Sequence, residues 1–142
     1  MIDQSVADVM ADSVQTITRE TTASTVARLF AKDDIGSALV VDSETGDLVG
    51  IVTESDIMHQ VATDADITAV SVSSFMTTPV ITIPSTESIH TAATLMKDHS
   101  IRRLPVVDDG NLVGILTTTN LIHYLPHLRA HILRGRNEFS GQ

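Results

Sequence analysis

The chain has 142 residues, of which 42% are apolar and 19% are charged, and it carries a formal net charge of −9 and no cysteine. The lack of cysteine excludes disulfides, thiol catalysis and zinc sites built on cysteine, while the acidity makes binding to nucleic acid or to an anionic lipid surface unfavourable. Because no apolar run approaches the roughly 20 residues that span a bilayer and the N terminus lacks the features of a signal peptide, we expect a cytoplasmic protein without a membrane partner.

Two stretches of the chain are copied later in the sequence. Residues 25–42 (TVARLFAKDDIGSALVVD) align with residues 91–108 (TAATLMKDHSIRRLPVVD), and residues 47–61 (DLVGIVTESDIMHQV) align with residues 111–125 (NLVGILTTTNLIHYL). Self-similarity at a fixed distance indicates a tandem repeat. We therefore divide the chain into four parts: a first repeat at 6–62, a linker at 63–71, a second repeat at 72–125 and a basic tail at 126–142.

The first repeat contains an amphipathic helix, recognised by Val26, Leu29 and Phe30 at helical spacing. Two apolar runs joined by a glycine-containing turn predict a hairpin after this helix. The other predicted elements of this repeat are, in chain order, a helical turn ending at Met10, a strand at Gln15–Ile17, the hairpin strands Ala38–Val41 and Leu48–Val52 with the turn Ser43–Gly46, and a helix starting at Thr53.

The second repeat shows the same pattern, with Ile89, Ala92, Ala93 and Met96 at helical spacing. Its other predicted elements are a helical turn ending at Met76, a strand at Ile81–Ile83, the hairpin strands Leu104–Val107 and Leu112–Leu116 with the turn Asp109–Gly110, and a helix starting at Thr117. The order β-α-β-β-α in each repeat predicts an α/β fold.

A repeat of about 55 residues is too small to bury its sheet well on its own. We therefore expect the two repeats to pack through their sheets, related by a pseudo-twofold axis, with two equivalent clefts. Since aromatic residues make up only 3% of the chain, the core should consist of Val, Ile, Leu, Ala and Met side chains.

Both repeats contain a related phrase, GIVTESD at 50–56 and GILTTTN at 114–120. In each copy a strand ends and a helix begins, and the N terminus of a helix is a natural site for an anion. Asp56 is suited to accept hydrogen bonds from ribose hydroxyls, but Thr53 and Asp56 also match a capping box, and both interpretations stay open. Asn120 has one acceptor oxygen and no charge, so it should hold a ribose less tightly than Asp56.

These residues together resemble a tandem pair of CBS domains, the cystathionine-β-synthase-type module called a Bateman module. The matching stretches are IGSALVVDSETGDLVGIVTESDIM at 35–58, MTTPVITI at 76–83 and IRRLPVVDDGNLVGILTTTNLI at 101–122, and the resemblance covers residues 6–125. It implies a non-catalytic regulatory module that binds AMP, ADP, ATP or S-adenosylmethionine. It also implies a homodimer that signals to a partner protein and requires no cofactor. With no other domain in the sequence, we expect a stand-alone module.

The resemblance also assigns roles to individual residues. Thr53 and Asp56 would bind phosphate and ribose, and Arg102 and Arg103 would reach the phosphates of the same ligand from the other repeat, since arginine suits phosphate. The residues that the resemblance places around the adenine are Ile35, Gly36, Ser37, Met76, Val80 and Ile81. In the weaker second cleft, Thr117 and Asn120 take the places of Thr53 and Asp56, and the uncharged Gly36 and Ser37 take those of the arginines.

Two alternatives remain beside the ligand sensor. One is an interaction module with degenerate clefts, which acts through its dimer surface and its basic tail, where Leu125, Leu128 and Ile132 would pack against a second subunit or a partner. The other is an enzyme using Thr53, Asp56 and His59, but these residues form no recognisable arrangement of nucleophile, base and orienting group.

Three histidines at a spacing of four residues, His123, His127 and His131, resemble a metal-binding ladder. Pro126 interrupts the helix that this ladder needs, and no carboxylate completes a ligand set. We therefore expect no metal site.

Overall fold

The computed structural model describes residues 4–124, and these form two compact units. One unit consists of residues 14–81 with residues 110–112, and we call it the 14–81 unit. The other unit contains the described residues of 1–13, 82–109 and 113–142, and we call it the split unit. The predicted tail at 126–142 lies outside the described residues, as does Leu125.

The helices and strands follow the predicted order, except that the predicted strand at Ile81–Ile83 is absent. They are α1 (Val6–Val9), β1 (Thr16–Ile17), α2 (Ala23–Asp33), β2 (Ser37–Val41), β3 (Leu48–Thr53), α3 (Glu54–Ala62), a 3-10 helix (Val72–Ser74), α4 (Ile89–His99), β4 (Arg103–Asp108), β5 (Asn111–Thr117) and α5 (Thr118–His123). In residues 4–124, no helix has both the length and the apolar character that crossing a bilayer requires.

The 14–81 unit is built on a three-stranded sheet in the order β1-β2-β3, with β1 parallel and β3 antiparallel to β2. Helices α2 and α3 pack against each other, and the C-cap residue of α2 is Asp34, whose φ of 53° is left-handed. The main buried cluster of this unit is aliphatic apart from one phenylalanine, as the composition predicts: Ile17, Ala23, Val26, Phe30, Ala38, Val40, Val52, Ile57 and Val72.

The split unit contains a two-stranded sheet of β4 and β5, with α4 packed on β4. Helix α4 buries Ile89, Ala92 and Met96. Ala93, which we predicted on the same apolar face, is exposed. It lies about 100° around the helix from Ala92, at the margin of the buried stripe and not at its centre.

The predicted strand Ile81–Ile83 is wrong, because only Ile83 pairs, through a single parallel bridge to Val106. At the corresponding place in the first repeat, the N–H of Leu39 donates to the carbonyl of Gln15 at 2.9 Å. The second repeat has Pro105 where the first has Leu39. Proline has no N–H to donate, so the bond that would extend this strand is missing.

The first residues of each repeat pack in the unit that is formed mainly by the other repeat. Residues 4–13 of the first repeat belong to the split unit, and residues 72–81 of the second repeat belong to the 14–81 unit. In the split unit, Ala11 and Ile115 exchange two backbone hydrogen bonds, both of 2.9 Å. In the 14–81 unit, Thr77 and Ile51 do the same, at 2.9 and 3.1 Å. The repeats seen in the sequence and the compact units of the structure therefore differ by an exchange of their opening segments.

A carboxylate at the start of each hairpin turn binds a residue that lies 23 positions earlier. Asp42 accepts a 2.6 Å hydrogen bond from the Arg19 guanidinium, and this bond, together with two backbone N–H groups of the turn, holds the pKa of Asp42 well below its usual range. Asp108 accepts from the hydroxyl of Ser85 at 2.6 Å and from its N–H at 2.9 Å, and these bonds lower the pKa of Asp108.

Candidate functional site

The candidate site lies at the junction of β3 and α3. Thr53 is the N-cap of α3, and its hydroxyl oxygen accepts from the N–H of Asp56 at 3.4 Å. In return, Oδ2 of Asp56 accepts from the N–H of Thr53 at 2.8 Å and from its hydroxyl at 3.1 Å. The capping box is therefore formed, and it fixes the carboxylate in the first turn of the helix.

This capping box uses only one oxygen of the Asp56 carboxylate. Within residues 4–124, Oδ1 of Asp56 accepts no hydrogen bond, because both bonds to the side chain end on Oδ2. Asp56 is half-buried rather than enclosed. An ionised carboxylate oxygen has lone pairs for two donors, so Oδ1 can accept from a ribose diol while Oδ2 keeps the cap.

The start of β2 lies beside this junction. Ser37 pairs with Thr53 across the sheet, and the carbonyl of Gly36 accepts from the N–H of Glu54 at 3.2 Å. Ile35 precedes them, and residues 35–37 are all half-buried. The structure thus brings Gly36 and Ser37 next to the Thr53–Asp56 pair, as the proposed adenine lining requires.

Met76 packs against Gly50, the first residue of the GIVTESD stretch at 50–56. Its side chain packs directly over Gly50, where an added β-carbon would come within 2.9 Å of Cγ of Met76. Val80 and Ile81 belong to the same unit and are half-buried. Gly50 was absent from the predicted site, although the glycine that opens both copies of the phrase was a signal for it. The predicted contact of these residues with an adenine stays a prediction.

The second copy of the phrase, in the split unit, has the same cap but different remaining chemistry. Oδ1 of Asn120 accepts from the N–H of Thr117 at 2.9 Å, and the N–H of Asn120 donates to the Thr117 hydroxyl oxygen at 3.0 Å. The only oxygen of the amide is thereby engaged, and its NH₂ group can only donate. The second copy presents a donor where the first presents an acceptor.

The two arginines predicted to contact phosphate, Arg102 and Arg103, lie in the split unit. The carbonyl of Arg102 accepts from the N–H of Thr118 at 2.9 Å, which repeats the bond between Gly36 and Glu54. Arg102 is exposed and Arg103 is half-buried. Their contact with ligand phosphate stays a prediction.

Among the described residues, no three His, Cys, Asp or Glu side chains are placed to hold a metal ion. His123 is the last residue of α5 and is exposed. The other two members of the histidine ladder, His127 and His131, lie outside the described residues.

Comparison with known proteins identifies the fold. The CBS domain family model matches the chain twice, over residues 6–63 and 72–127. This chain belongs to the CBS domain family. It is 35% identical to the CBS domain-containing protein YhcV of Bacillus subtilis over 82% of each chain.

Two solved CBS domain structures are similar to this chain and contain ligands. The CBS domain pair of protein MJ0100, in complex with 5′-methylthioadenosine and S-adenosyl-L-methionine, is 28% identical with a TM-score of 0.80, covering 88% of this chain and 98% of that one. CBS domain protein PAE2072 from Pyrobaculum aerophilum, complexed with AMP, is 28% identical with a TM-score of 0.78, covering 83% and 90%. The predicted family and α/β fold class are confirmed.

One CBS relative carries an enzyme name. A homoserine O-acetyltransferase from Methanocorpusculum labreanum is 38% identical over 117 residues, but this chain covers only 23% of its length. Most of that enzyme therefore has no counterpart in this CBS chain.

Proposed function

We propose that this CBS protein is a non-catalytic regulatory module that binds an adenine nucleotide or adenosyl ligand at the N terminus of α3. The candidate ligands are AMP, ADP, ATP and S-adenosylmethionine. Binding of the ligand alters the state of a protein partner, and this requires that the ligand bind one conformation of the module more tightly than another.

The observation that carries the proposal is the carboxylate of Asp56. Its Oδ2 is held by Thr53, which orients the group, while Oδ1 accepts nothing from the described residues. An oriented carboxylate oxygen in the first turn of a helix offers a charged acceptor for a sugar diol, and the partial positive charge of the helix N terminus favours an anion nearby.

The ligands of the similar structures support the chemical class. AMP, 5′-methylthioadenosine and S-adenosylmethionine all contain adenine and a ribose with two free hydroxyls, and they differ at the 5′ end. Asp56 is proposed to bind the shared ribose. The adenine is proposed to lie among the half-buried residues 35–37, Met76, Val80 and Ile81, and Arg102 and Arg103 keep their predicted role as phosphate contacts.

The test is isothermal titration calorimetry with AMP, ADP, ATP and S-adenosylmethionine on the wild-type chain, Asp56→Asn and Asn120→Ala. An asparagine at 56 can cap α3 as Asn120 caps α5, so Asp56→Asn removes the available acceptor and keeps the helix cap. We expect about one ligand per wild-type chain. The Asp56→Asn variant should bind at least about tenfold more weakly, which corresponds to roughly 1.4 kcal/mol, with an unchanged melting temperature.

Asn120→Ala is the matched control. It should leave ligand affinity unchanged and lower the free energy of unfolding by about 1 kcal/mol, because the cap of α5 is weakened. Wild-type affinity in Asp56→Asn would exclude Asp56 from the site. If the folded wild-type chain binds none of the four ligands, the interaction module becomes the better description.

A further inference from the structure

The sulfur atoms of Met76 and Met10 lie over the two glycines that open the repeated phrase. At Gly50, the atom nearest to an added β-carbon is Sδ of Met76. At Gly114, an added β-carbon would lie 2.7 Å from Sδ of Met10 and 3.2 Å from its Cε. Each thioether therefore fills the space that a glycine leaves. Both methionines are half-buried, so solvent still reaches part of each side chain.

Each of these methionines stands directly beside the backbone pairing of its opening segment. Met76 packs against the main buried cluster of the 14–81 unit, and the next residue, Thr77, exchanges two backbone hydrogen bonds with Ile51 of β3. Met10 has the same position in the split unit, next to Ala11. The contact between sulfur and glycine and the pairing to the strand therefore hold the same short stretch of chain.

Methionine sulfur undergoes a chemical change that opposes this packing. A hydroperoxide transfers one oxygen atom to the thioether: the O–O bond breaks, an S–O bond forms, the sulfur loses two electrons, and the peroxide leaves as water or an alcohol. The sulfoxide is bulkier than the thioether, and its polar oxygen is costly to bury without a hydrogen-bond donor. Sulfoxide against a glycine and an apolar cluster therefore favours movement of the side chain into solvent.

We propose that Met76 and Met10 are reversible oxidation sites, and that sulfoxide formation by a hydroperoxide releases the opening segment that carries the oxidised residue. Two further methionines of the described chain lie outside the opening segments and differ in exposure. Met58 on α3 is 70% exposed, and Met96 on α4 is 5% exposed. They provide internal references for oxidation that depends on exposure alone and for oxidation that requires opening of the core.

The test treats the full-length chain with dilute hydrogen peroxide, without added ligand, so that its outcome does not depend on the proposed function. Peptide mass spectrometry follows each methionine, and hydrogen exchange is measured on the same samples. We expect sulfoxide at Met10 and Met76 at least about tenfold faster than at Met96. The amides of Ile51 and Thr77 should then exchange at least about tenfold faster, because their mutual hydrogen bonds open. Stereospecific methionine sulfoxide reductases should restore the protection.

Met76→Leu is the matched variant, because leucine keeps an apolar side chain of similar volume and cannot be oxidised in this way. After peroxide treatment it should keep its protection at Ile51 and lose it at Ile115, the partner of the Met10 segment. Met58→Leu should respond as the wild-type chain does. The reductase measurement uses the wild-type chain and therefore does not depend on how any variant folds.

Four results would each overturn the proposal. The first is oxidation of Met76 that is no faster than oxidation of Met96. The second is sulfoxide at Met76 with unchanged exchange at Ile51, and the third is an equal loss of protection at Ile51 in Met76→Leu. The fourth is protection that the reductases do not restore, which would describe irreversible damage rather than a reversible site.

Discussion

Gly50 and Gly114 open the two copies of the repeated phrase, and the space above them differs. Over Gly50, the three atoms nearest to an added β-carbon all belong to the Met76 side chain, and two of them, Sδ and Cγ, can rotate away. Over Gly114, it would lie 2.7 Å from the backbone carbonyl oxygen of Ala11. That oxygen accepts the hydrogen bond from Ile115, so it cannot move away without weakening the pairing of the opening segment.

We therefore predict that Gly114→Ala lowers the free energy of unfolding by about 2–3 kcal/mol and Gly50→Ala by about 1 kcal/mol. Urea denaturation of the two variants measures the difference. Adding Met76→Ala to Gly50→Ala should relieve the overlap and recover part of the loss. Equal costs at the two glycines would show that the opening segment moves as easily as a side chain.

Asp56 and Asn120 occupy equivalent positions in the two repeats and differ in one side-chain group, an oxygen in Asp56 and an NH₂ in Asn120. Both side chains complete a capping box through one oxygen. Aspartate then has a second oxygen left, and asparagine has an NH₂ group. The sequence predicted a weaker hold on a ribose at Asn120 than at Asp56, and this stays a prediction. It did not predict that the cap would use only Oδ2 of Asp56, because that depends on side-chain orientation.

The hairpins have a pH dependence that follows from their carboxylates. The pKa of Asp42 is lowered chiefly by Arg19, and that of Asp108 chiefly by the Ser85 hydroxyl. A carboxyl whose pKa is lower in the folded state stabilises the fold above its unfolded pKa of about 3.9. That contribution is lost as the pH falls through the folded pKa.

We predict that the free energy of unfolding of the wild-type chain falls between pH 5 and pH 2, and that Asp42→Asn and Asp108→Asn each reduce this fall. Arg19→Gln should act like Asp42→Asn, because it removes the main cause of the shift. Urea denaturation across this pH range measures the slopes. If the variants keep the slope of the wild-type chain, these carboxylates do not contribute to acid unfolding.

Most elements could be predicted from sequence, because each depends on a local pattern. The hairpin strands and the helix starts at Thr53 and Thr117 agree with the structure to within one residue. The strand at Ile81–Ile83 was wrong for a reason outside its own sequence, since its partner Pro105 cannot donate a hydrogen bond.

At the scale of the whole molecule, the exchange of opening segments means that residues from the start of each repeat are buried in the unit formed mainly by the other repeat. Val6 belongs to the first repeat but is buried in the split unit, and Val72 belongs to the second repeat but is buried in the 14–81 unit. Sequence comparison did not reveal this exchange, because a repeat pattern identifies equivalent segments and does not identify the partners with which they pair.

We predict that Val6→Ala reduces hydrogen-exchange protection mainly in α4, β4 and β5, and that Val72→Ala does so mainly in α2, β2 and β3. Each substitution removes a buried valine side chain, at a cost of about 2 kcal/mol. Hydrogen-deuterium exchange mass spectrometry gives the protection of each segment. Loss of protection mainly within the repeat that contains the substitution would contradict the exchange.

The exchange also has a consequence for synthesis on the ribosome. Apart from residues 110–112, the 14–81 unit is a continuous stretch, so nearly all of it has been synthesised before the hairpin of β4 and β5 is made. The opening segment at residues 4–13 is translated earlier still, yet Ala11 pairs with Ile115. During most of translation this segment and the apolar side chain of Val6 have no partner and are available to chaperones. The part of the described chain that is made first is therefore among the last to fold.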